Sequence, residues 1–327
     1  MKPFGMALPR TVEEAVSACA GGFRETKILA GGTDLLGELK ERTCTPERLV
    51  NLKGIGELRG IERRKRGLEI GALTPLSEVA AHADVKAGWP ALIETIGRTA
   101  TPQLRNVGTI GGNICQRPRC WYYRSEAYRC IKKRGYLCYA RNGENEYHAV
   151  FDNDICCVPH PSNCAPVLIA YGAEIEIAGP QGSRAFPIDE FFVAPYENVT
   201  AENILKANEV VTRIILPAGS RSRTSAYVEA REKQSFDWAL CGSTVILRLE
   251  GGRVKRARIV LSAVAPKPLR RRDLEEMLEG REITSKRIEE VCRAAVAGAT
   301  PLRQNGYKLA LVRATLKRAI GRAAKGG

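Results

Sequence analysis

The alternation of apolar and polar residues gives two kinds of segment, short helical stretches and short strands, interleaved along most of the chain. From Thr11 the segment TVEEAVSACA places Val12, Ala15, Val16 and Cys19 at helical spacing with acids in its first turn, which predicts a helix ending at Gly21-Gly22. Lys27 to Ala30 is a short apolar strand that runs into Gly31-Gly32-Thr33-Asp34, and LLGELKER then resumes the helical period. The glycines mark a tight turn between strand and helix. RLVNL reads as a strand, GELRGIERRKRGLEIGAL as a hairpin with a basic tip, and TPLSEVAAHADV as a helix opening near Thr74-Pro75. In WPALIETIGRTATPQLRNVGTIGGNIC the first half is helical. The second half reads as a loop in which Gly108, Gly111 and Gly112 let backbone approach something closely.

From Gln116 to about Asn163 the periodicity fades, and so long an irregular stretch inside a compact domain needs something to organise it. APVLIAYGAEIEIAG restores a helix that turns into a strand, FPIDEFFV and NEVVTRIILP follow, and a boundary falls near residues 218–223. Beyond it two or three strands are joined by Gly251-Gly252, and the amphipathic helices EEVCRAAVAGA and YKLALVRATLKRAI close the chain. This is an α+β pattern without internal repeats, in a chain of 327 residues that is too long for one core and suggests two or three domains.

A formal charge of +15 raises the question of nucleic acid. Its local peaks, Arg63-Arg64-Lys65-Arg66 and Arg270-Arg271-Arg272, carry no interleaved aromatics and match no nucleic-acid module, so they read as solvated or partner-facing surface. No apolar run approaches the length of a membrane span and the amino terminus lacks the order of a secretory signal, so a cytoplasmic location is expected. In that setting the 11 cysteines point to metal or redox chemistry before disulfides. Cys19, Cys44, Cys241 and Cys292 are scattered among apolar neighbours as small hydrophobes, whereas seven others crowd residues 115–164.

Two constellations carry chemistry. AGGTDL at 30–35 and GTIGGN at 108–113 are glycine-rich, so their amide N–H groups can converge on a phosphate, with Thr33, Thr109 and Asn113 as side-chain donors. Each alone also fits an ordinary tight turn, and neither matches GxGxxG or GxxxxGK[ST]. In the second, Cys120, Cys130, Cys138 and Cys156 or Cys157 are separated by 9, 7 and then 17 or 18 residues. Four thiolates suit zinc or an iron–sulfur cluster, and unliganded thiols stay open. The absence of a close CxxC pair favours the cluster over structural zinc. Basic residues of the stretch, among them Arg117, Arg119, Arg124, Lys132 and Lys133, would offset a cluster's negative charge or simply face solvent. Trp121, Tyr122, Tyr123, Tyr128 and Tyr136 would shield it or form a small local core. His82, His148 and His160 read as structural, and no GxSxG, HExxH or paired catalytic carboxylates appear.

In order, LAGGTDLLGELK, IGALTPLSEV, TPQLRNVGTIGGNIC, HPSNCAPVLIAYGAEIEI, NEVVTRIILP, AYVEAREKQSFDWAL and RARIVLSAVAPKPLRRRDLEEMLEG resemble the FAD-binding subunits and domains of the molybdenum hydroxylases, the family of xanthine dehydrogenase and carbon monoxide dehydrogenase. The resemblance covers nearly the whole chain. It implies a two-subdomain fold of the vanillyl-alcohol oxidase type over 1–219, divided near residue 55, and a small C-terminal α+β domain over 220–327. It further implies that Leu29, Ala30, Gly31, Gly32, Thr33, Asp34, Leu35 and Leu36, with Thr109, Ile110, Gly111, Gly112 and Asn113, line the FAD diphosphate and ribityl chain. Asn163 stands where the family usually has aspartate and Val211 where it commonly has leucine near the flavin ring. Glu229 replaces a lysine close to FAD in many members and is not carried over as a ligand.

Most relatives lack residues 116–162, and RPRCWYYR, YRCIKKRGYLC and CCVPHPSNCAP resemble the four-iron four-sulfur insert of 4-hydroxybenzoyl-coenzyme A reductase β subunits. By that resemblance Cys120, Cys130, Cys138 and Cys156 are the metal ligands, within the second subdomain, while Cys115 and Cys164 are packing residues. The family implies an electron-transfer subunit in a heterotrimer with a molybdopterin-bearing large subunit and a 2Fe-2S small subunit. A donor or acceptor such as ferredoxin would be the external partner, and the substrate site would lie on the large subunit.

Overall fold

The computed structural model describes residues 1–19, 21–222, 224–234 and 236–326, which form three sheets. In the first, β1 (Gly5–Ala7), β2 (Thr26–Leu29) and β3 (Arg48–Asn51) lie in the order β1-β3-β2, both pairs parallel. Parallel neighbours require crossovers. The first is the helix Val12–Ala18, where the Thr11 hydroxyl accepts from the Glu14 N–H and Val12, Ala15 and Val16 are buried. The helix Leu35–Lys40 leads from β2 toward β3, so the turn at 30–34 sits at the carboxyl end of a parallel strand.

The second sheet is antiparallel, β4 (Ile61–Arg64), β5 (Gly67–Gly71), β6 (Glu174–Gly179), β7 (Gly182–Pro187) and β8 (Val210–Pro217) in the order β4-β5-β8-β6-β7. Its core joins Leu68 and Ile214 to Trp89, Leu92 and Ile96 of the helix region around Pro90–Arg98 and to Leu168 of the helix Cys164–Ala170. The third sheet, β9 (Ser225–Ala230), β10 (Cys241–Glu250), β11 (Arg253–Ser262) and β12 (Leu269–Arg270), is covered by the helices Arg272–Leu278, Ser285–Ala294 and Lys308–Ala324. The chain is therefore mixed α+β, as the pattern predicted. Among the described residues no helix is long and apolar enough to cross a membrane.

The basic runs are matched locally by carboxylates. Arg63 bonds Asp84 at 2.5 Å, Arg64 bonds Glu62 at 2.8 Å, and Arg270 and Arg271 pair with Glu275 and Asp273 at 2.8 and 2.6 Å.

Two expectations change. Residues 100–115 are not a loop but two short helices, Pro102–Val107 and Ile110–Ile114. The Thr101 hydroxyl accepts from the Leu104 N–H and Pro102 presets the first turn, while the Thr109 hydroxyl accepts from the Gly112 N–H. These caps offset the poor helix propensity of Gly111 and Gly112. The cysteine-rich stretch, in turn, is not confined to the second subdomain. Its only regular pieces are the turn of helix Trp121–Arg124 and the 3₁₀ turns Ile131–Lys133 and Tyr139–Arg141. Tertiary contacts order the rest. The Val150 and Phe151 N–H groups donate to Val264 O and their side chains join the third sheet's core, Asn305 Nδ2 donates to His148 O, and Lys308 Nζ donates to Tyr147 O.

Candidate functional site

The two glycine turns lie side by side on the wall of a cleft that residues 236–238 of the third unit also border, with a volume of about 1190 Å³. That exceeds the ~300–1,000 Å³ of a drug-sized ligand site and suits an extended dinucleotide. Gly31 brings the turns into contact: a Cβ there would stand 2.3 Å from Val107 O and 3.1 Å from Gly108 Cα. Gly32 takes φ +81°, the left-handed region open to glycine. Among the described residues the amide N–H groups of Gly31, Gly32, Thr33 and Asp34 have no hydrogen-bond partner within the chain. Successive free amides on a cleft wall form an anion-binding nest.

Of the residues predicted to hold a cofactor, Ala30, Gly31, Gly32, Thr33, Asp34, Leu35, Thr109, Gly111, Gly112, Asn113, Asn163 and Val211 all line this cleft. Leu29, Leu36 and Ile110 do not. Leu29 is buried with Leu39 and Leu49, Ile110 lies in the core of the second sheet, and Leu36 faces outward. The pleat of β2 turns Leu29 inward, and in the 110–114 helix Ile110 and Ile114, four residues apart, share the buried face opposite Gly111–Asn113. Thr109 spends its hydroxyl oxygen on capping, and Asn113 Oδ1 accepts from Ser162 Oγ at 2.7 Å. Ser162 Oγ also accepts from the Ala165 N–H at 3.0 Å, so the HPSN segment braces the second turn and starts the next helix together. His160 is fully buried beside Phe192 and its Nδ1 accepts from the Ser162 N–H at 3.3 Å; burial pushes its pKa down to about 3. Glu229 lies off the cleft. Its carboxylate accepts from Tyr227 Oη at 2.6 Å and pairs with Arg231, and burial raises its pKa.

Asp34 departs most from expectation, because its carboxylate turns away from the open cleft and into the cysteine-rich stretch. It accepts from the Arg117 N–H at 2.7 Å and from Arg124 Nη2 at 2.6 Å, and pairs with Arg119 Nη1 at 2.7 Å. Behind it Glu38 accepts from Tyr123 Oη at 2.6 Å, and Glu202 pairs with Arg117 and, at 2.6 Å, with Lys132. Lys132 is buried and also donates to Val199 O and Ala201 O at 3.0 and 3.1 Å. Burial, then Arg117 acting against it, leave the Tyr123 phenol well above its usual pKa. Sequence reasoning assigned these arginines to a cluster or to solvent; their carboxylate partners lie some 80 residues away, beyond the reach of any local pattern.

The cysteines gather on the other side of this network. Cys138 contacts the thiols of Cys156 and Cys157, which holds Cys138 down and pushes the other two up. Cys130 and Cys138 lie close enough to Cys120 to raise its pKa, after the larger effect of burial, and Cys120 Sγ meets His148 Nε2 at 3.2 Å. Yet among the described residues no group of three or more His, Cys, Asp or Glu side chains converges to hold a metal ion. The expected ligands Cys120, Cys130, Cys138 and Cys156 are neighbours without a common centre. Trp121, Tyr122, Tyr128, Tyr139 and His148 pack edge-on around them, whereas Tyr123 sits in the Asp34 network and Tyr136 is exposed. Cys164 is fully buried in the core of the second sheet, whereas Cys115 is half-buried and lines the cleft; burial pushes both thiols up to about 12.

Residues 2–219 match the family described as the FAD binding domain in molybdopterin dehydrogenase, and residues 225–323 match the CO dehydrogenase flavoprotein C-terminal domain. The carbon monoxide dehydrogenase medium chain of Hydrogenophaga pseudoflava is 32% identical over 320 residues, 96% of this chain and 95% of that one. The aldehyde oxidoreductase FAD-binding subunit of Escherichia coli is 30% identical over 326 residues, 99% of both chains. Among solved structures, carbon monoxide dehydrogenase from Hydrogenophaga pseudoflava lacking the Mo-pyranopterin moiety superposes with a TM-score of 0.77 at 31% identity, covering 99% of this chain and 98% of that one.

Proposed function

This chain belongs to the family of FAD-binding domains of molybdopterin dehydrogenases, and from that premise we propose that it is the flavin-bearing electron-transfer subunit of a molybdenum hydroxylase-type oxidoreductase. One observation carries the reading: the unpartnered N–H groups of Gly31 to Asp34 lie beside a second glycine turn on the wall of a cleft sized for a dinucleotide. FAD bound there would supply exchange between two-electron and one-electron carriers. The chain's part is to hold it. The 31–34 amides meet the diphosphate, Asn113 is fixed by Ser162, and Asn163 and Val211 border the remainder of the cleft. By analogy with its relatives, whose names mark them as medium chains and FAD-binding subunits, the partners are a molybdopterin-bearing large subunit and a 2Fe-2S small subunit. Substrate chemistry lies with the large subunit.

We further propose that residues 116–162 hold a four-iron four-sulfur cluster on Cys120, Cys130, Cys138 and Cys156. A single zinc ion needs four sulfurs drawn to one point, whereas a four-iron cube spreads its cysteine sulfurs over separate corners. The reading rests on the sequence, where four cysteines separated by 9, 7 and 17 residues without a close CxxC pair suit the cube better than structural zinc. A cluster would supply one-electron exchange with a small carrier such as ferredoxin. The likeness to hydroxybenzoyl-coenzyme A reductases rests on this stretch alone, and which substrate the complex takes is read from the large subunit that copurifies.

The visible spectrum of the purified chain tests both parts. Flavin absorbance with one FAD per chain, and four iron and four labile sulfide, are expected. Colourless protein with stoichiometric zinc would overturn the whole reading, and yellow protein without iron would overturn the cluster alone.

A further inference from the structure

Arg119 brings positive charge to the cleft that a single, shared carboxylate answers only in part. One terminal nitrogen meets Asp34 at 2.7 Å and the other donates to Gln116 Oε1 at 3.1 Å, while the guanidinium lies 4.7 Å from the centre of the Trp238 ring. Asp34 is shared, since Arg124 and the Arg117 N–H claim the same carboxylate. The third donor, Nε, is buried and has no hydrogen-bond partner among the described residues. Both Arg119 and Trp238 line the cleft, whose wall carries eight cationic side chains against the four carboxylates of Asp34, Glu38, Glu202 and Asp237. A buried donor left without an acceptor costs ~1–3 kcal/mol, and this one belongs to a residue of the cleft wall, where a small side-chain rotation toward a ligand oxygen would relieve the cost.

We propose that Arg119 is a ligand-binding residue of the FAD cleft, its Nε–H and charge taking an anionic oxygen of the flavin nucleotide while Trp238 holds the guanidinium edge toward it. This rests on the FAD reading above and deepens it, because the cysteine-rich stretch then contributes directly to the flavin site. Two parts of FAD offer such an oxygen: the diphosphate, charged in every redox state, and the ring, which gains negative charge on reduction. The stack on Trp238 favours a fixed, planar donor, which lysine cannot reproduce.

The test compares Arg119→Gln and Arg119→Lys with Arg124→Gln, which loses the same Asp34 contact from a residue that does not line the cleft. The isolated full-length chains are titrated with oxidised FAD, and the bound flavin's midpoint potential is measured by spectroelectrochemistry. A charge-assisted bond to the diphosphate predicts that Arg119→Gln weakens oxidised FAD by ~10–100-fold at unchanged potential. A bond to the ring predicts oxidised affinity within twofold and a lower midpoint potential. In either case Arg119→Lys falls between wild type and Gln, and Arg124→Gln moves the thermal midpoint without matching the flavin effect. Equal behaviour of Arg119→Gln and Arg124→Gln in both flavin readouts overturns the proposal and leaves Arg119 a clamp on Asp34. Failure of the wild-type chain to bind FAD at all overturns the FAD reading beneath it.

Discussion

Replacing Gly31 by alanine tests the cleft where its two turns touch. The added Cβ would stand 2.3 Å from Val107 O and 3.0 Å from Val107 C, both backbone atoms that no rotamer change can move aside. Ordinary contact at ~3.5 Å requires the turns to part by about 1 Å. A shift of that size is enough to spoil hydrogen bonds whose useful range spans only a few tenths of an ångström. If one or two of the charge-assisted bonds from the 31–34 amides are lost at ~1.5–3 kcal/mol each, FAD affinity falls by about 10²-fold. Overpacking costs the fold itself only ~1–3 kcal/mol, a fall in Tm of roughly 2–10 °C for a domain of this size. The assay is titration of apoprotein with FAD, followed by quenching of flavin fluorescence, with a thermal melt of the same sample. Gly97→Ala is the control: in the helix Pro90–Arg98 its Cβ would meet nothing within 4 Å, so it should raise stability by ~0.5–1 kcal/mol and leave FAD affinity unchanged. If Gly31→Ala bound FAD within twofold of wild type, the contact between the turns would not position the phosphate-binding amides, and the argument from their geometry would fail.

Other perturbations read other parts of the molecule. His160, pushed down to about 3 by burial, refuses a proton that the unfolded chain accepts near 6.5. Stability should therefore fall as pH drops from about 6.5 toward 3, by up to ~1.4 kcal/mol per unit, and His160→Gln should flatten urea-unfolding stability over that window. Lys308, pushed down to about 8 by burial, gives a second slope: folding strength should rise between about 8 and 10.5, and Lys308→Met should remove that rise. Lys132→Met strands Glu202 with Arg117 alone and frees the carbonyls of Val199 and Ala201, so it should cost ~3 kcal/mol in chemical denaturation. Cys130→Ser or Cys138→Ser should abolish iron and labile sulfide while FAD stays bound; equal loss of both cofactors would show that the two sites are not separable.

The parts of this molecule that were legible in the sequence are those whose cause is local. The helix at Val12–Ala18 announces itself by a threonine cap, acids in its first turn and apolar spacing, and the β4–β5 hairpin by a polar, basic tip between apolar strands. The glycine turns were legible for the same reason, since only glycine tolerates the Gly31–Val107 approach and the backbone angle at Gly32. The two short helices at 102–114 were not, because each is a turn or two long and the second carries two glycines; the Thr101 and Thr109 caps and the burial of Ile110 and Ile114 stabilise them. Side-chain direction was beyond reach as well. Leu29 and Ile110 belong to site-forming segments but point into the core, a matter of where each residue falls on a strand or a helical turn.

Residues 116–162 show what local reading loses in principle. Taken alone the stretch is a run of cysteines, arginines and tyrosines, and its charges invite an account in terms of whatever the cysteines hold. Folded, it is tied at three places: Asp34 and Glu38 on the first sheet's helix, Glu202 beside the second sheet, and Val264, Asn305 and Lys308 in the third unit. None of these partners is within hydrogen-bonding reach along the chain, so no spacing rule could select them. Their effect is that the turn carrying the 31–34 amides is held by arginines from the same stretch that carries the cysteines. The cysteine-rich stretch and the phosphate-binding turn therefore share one charged network of Arg117, Arg119, Arg124 and Asp34. The network also sets a limit. Since Asp34 keeps the Arg117 N–H and Arg124 when Arg119 alone is replaced, the turn should stay in place in that variant, and any loss of flavin affinity or potential then belongs to the guanidinium itself.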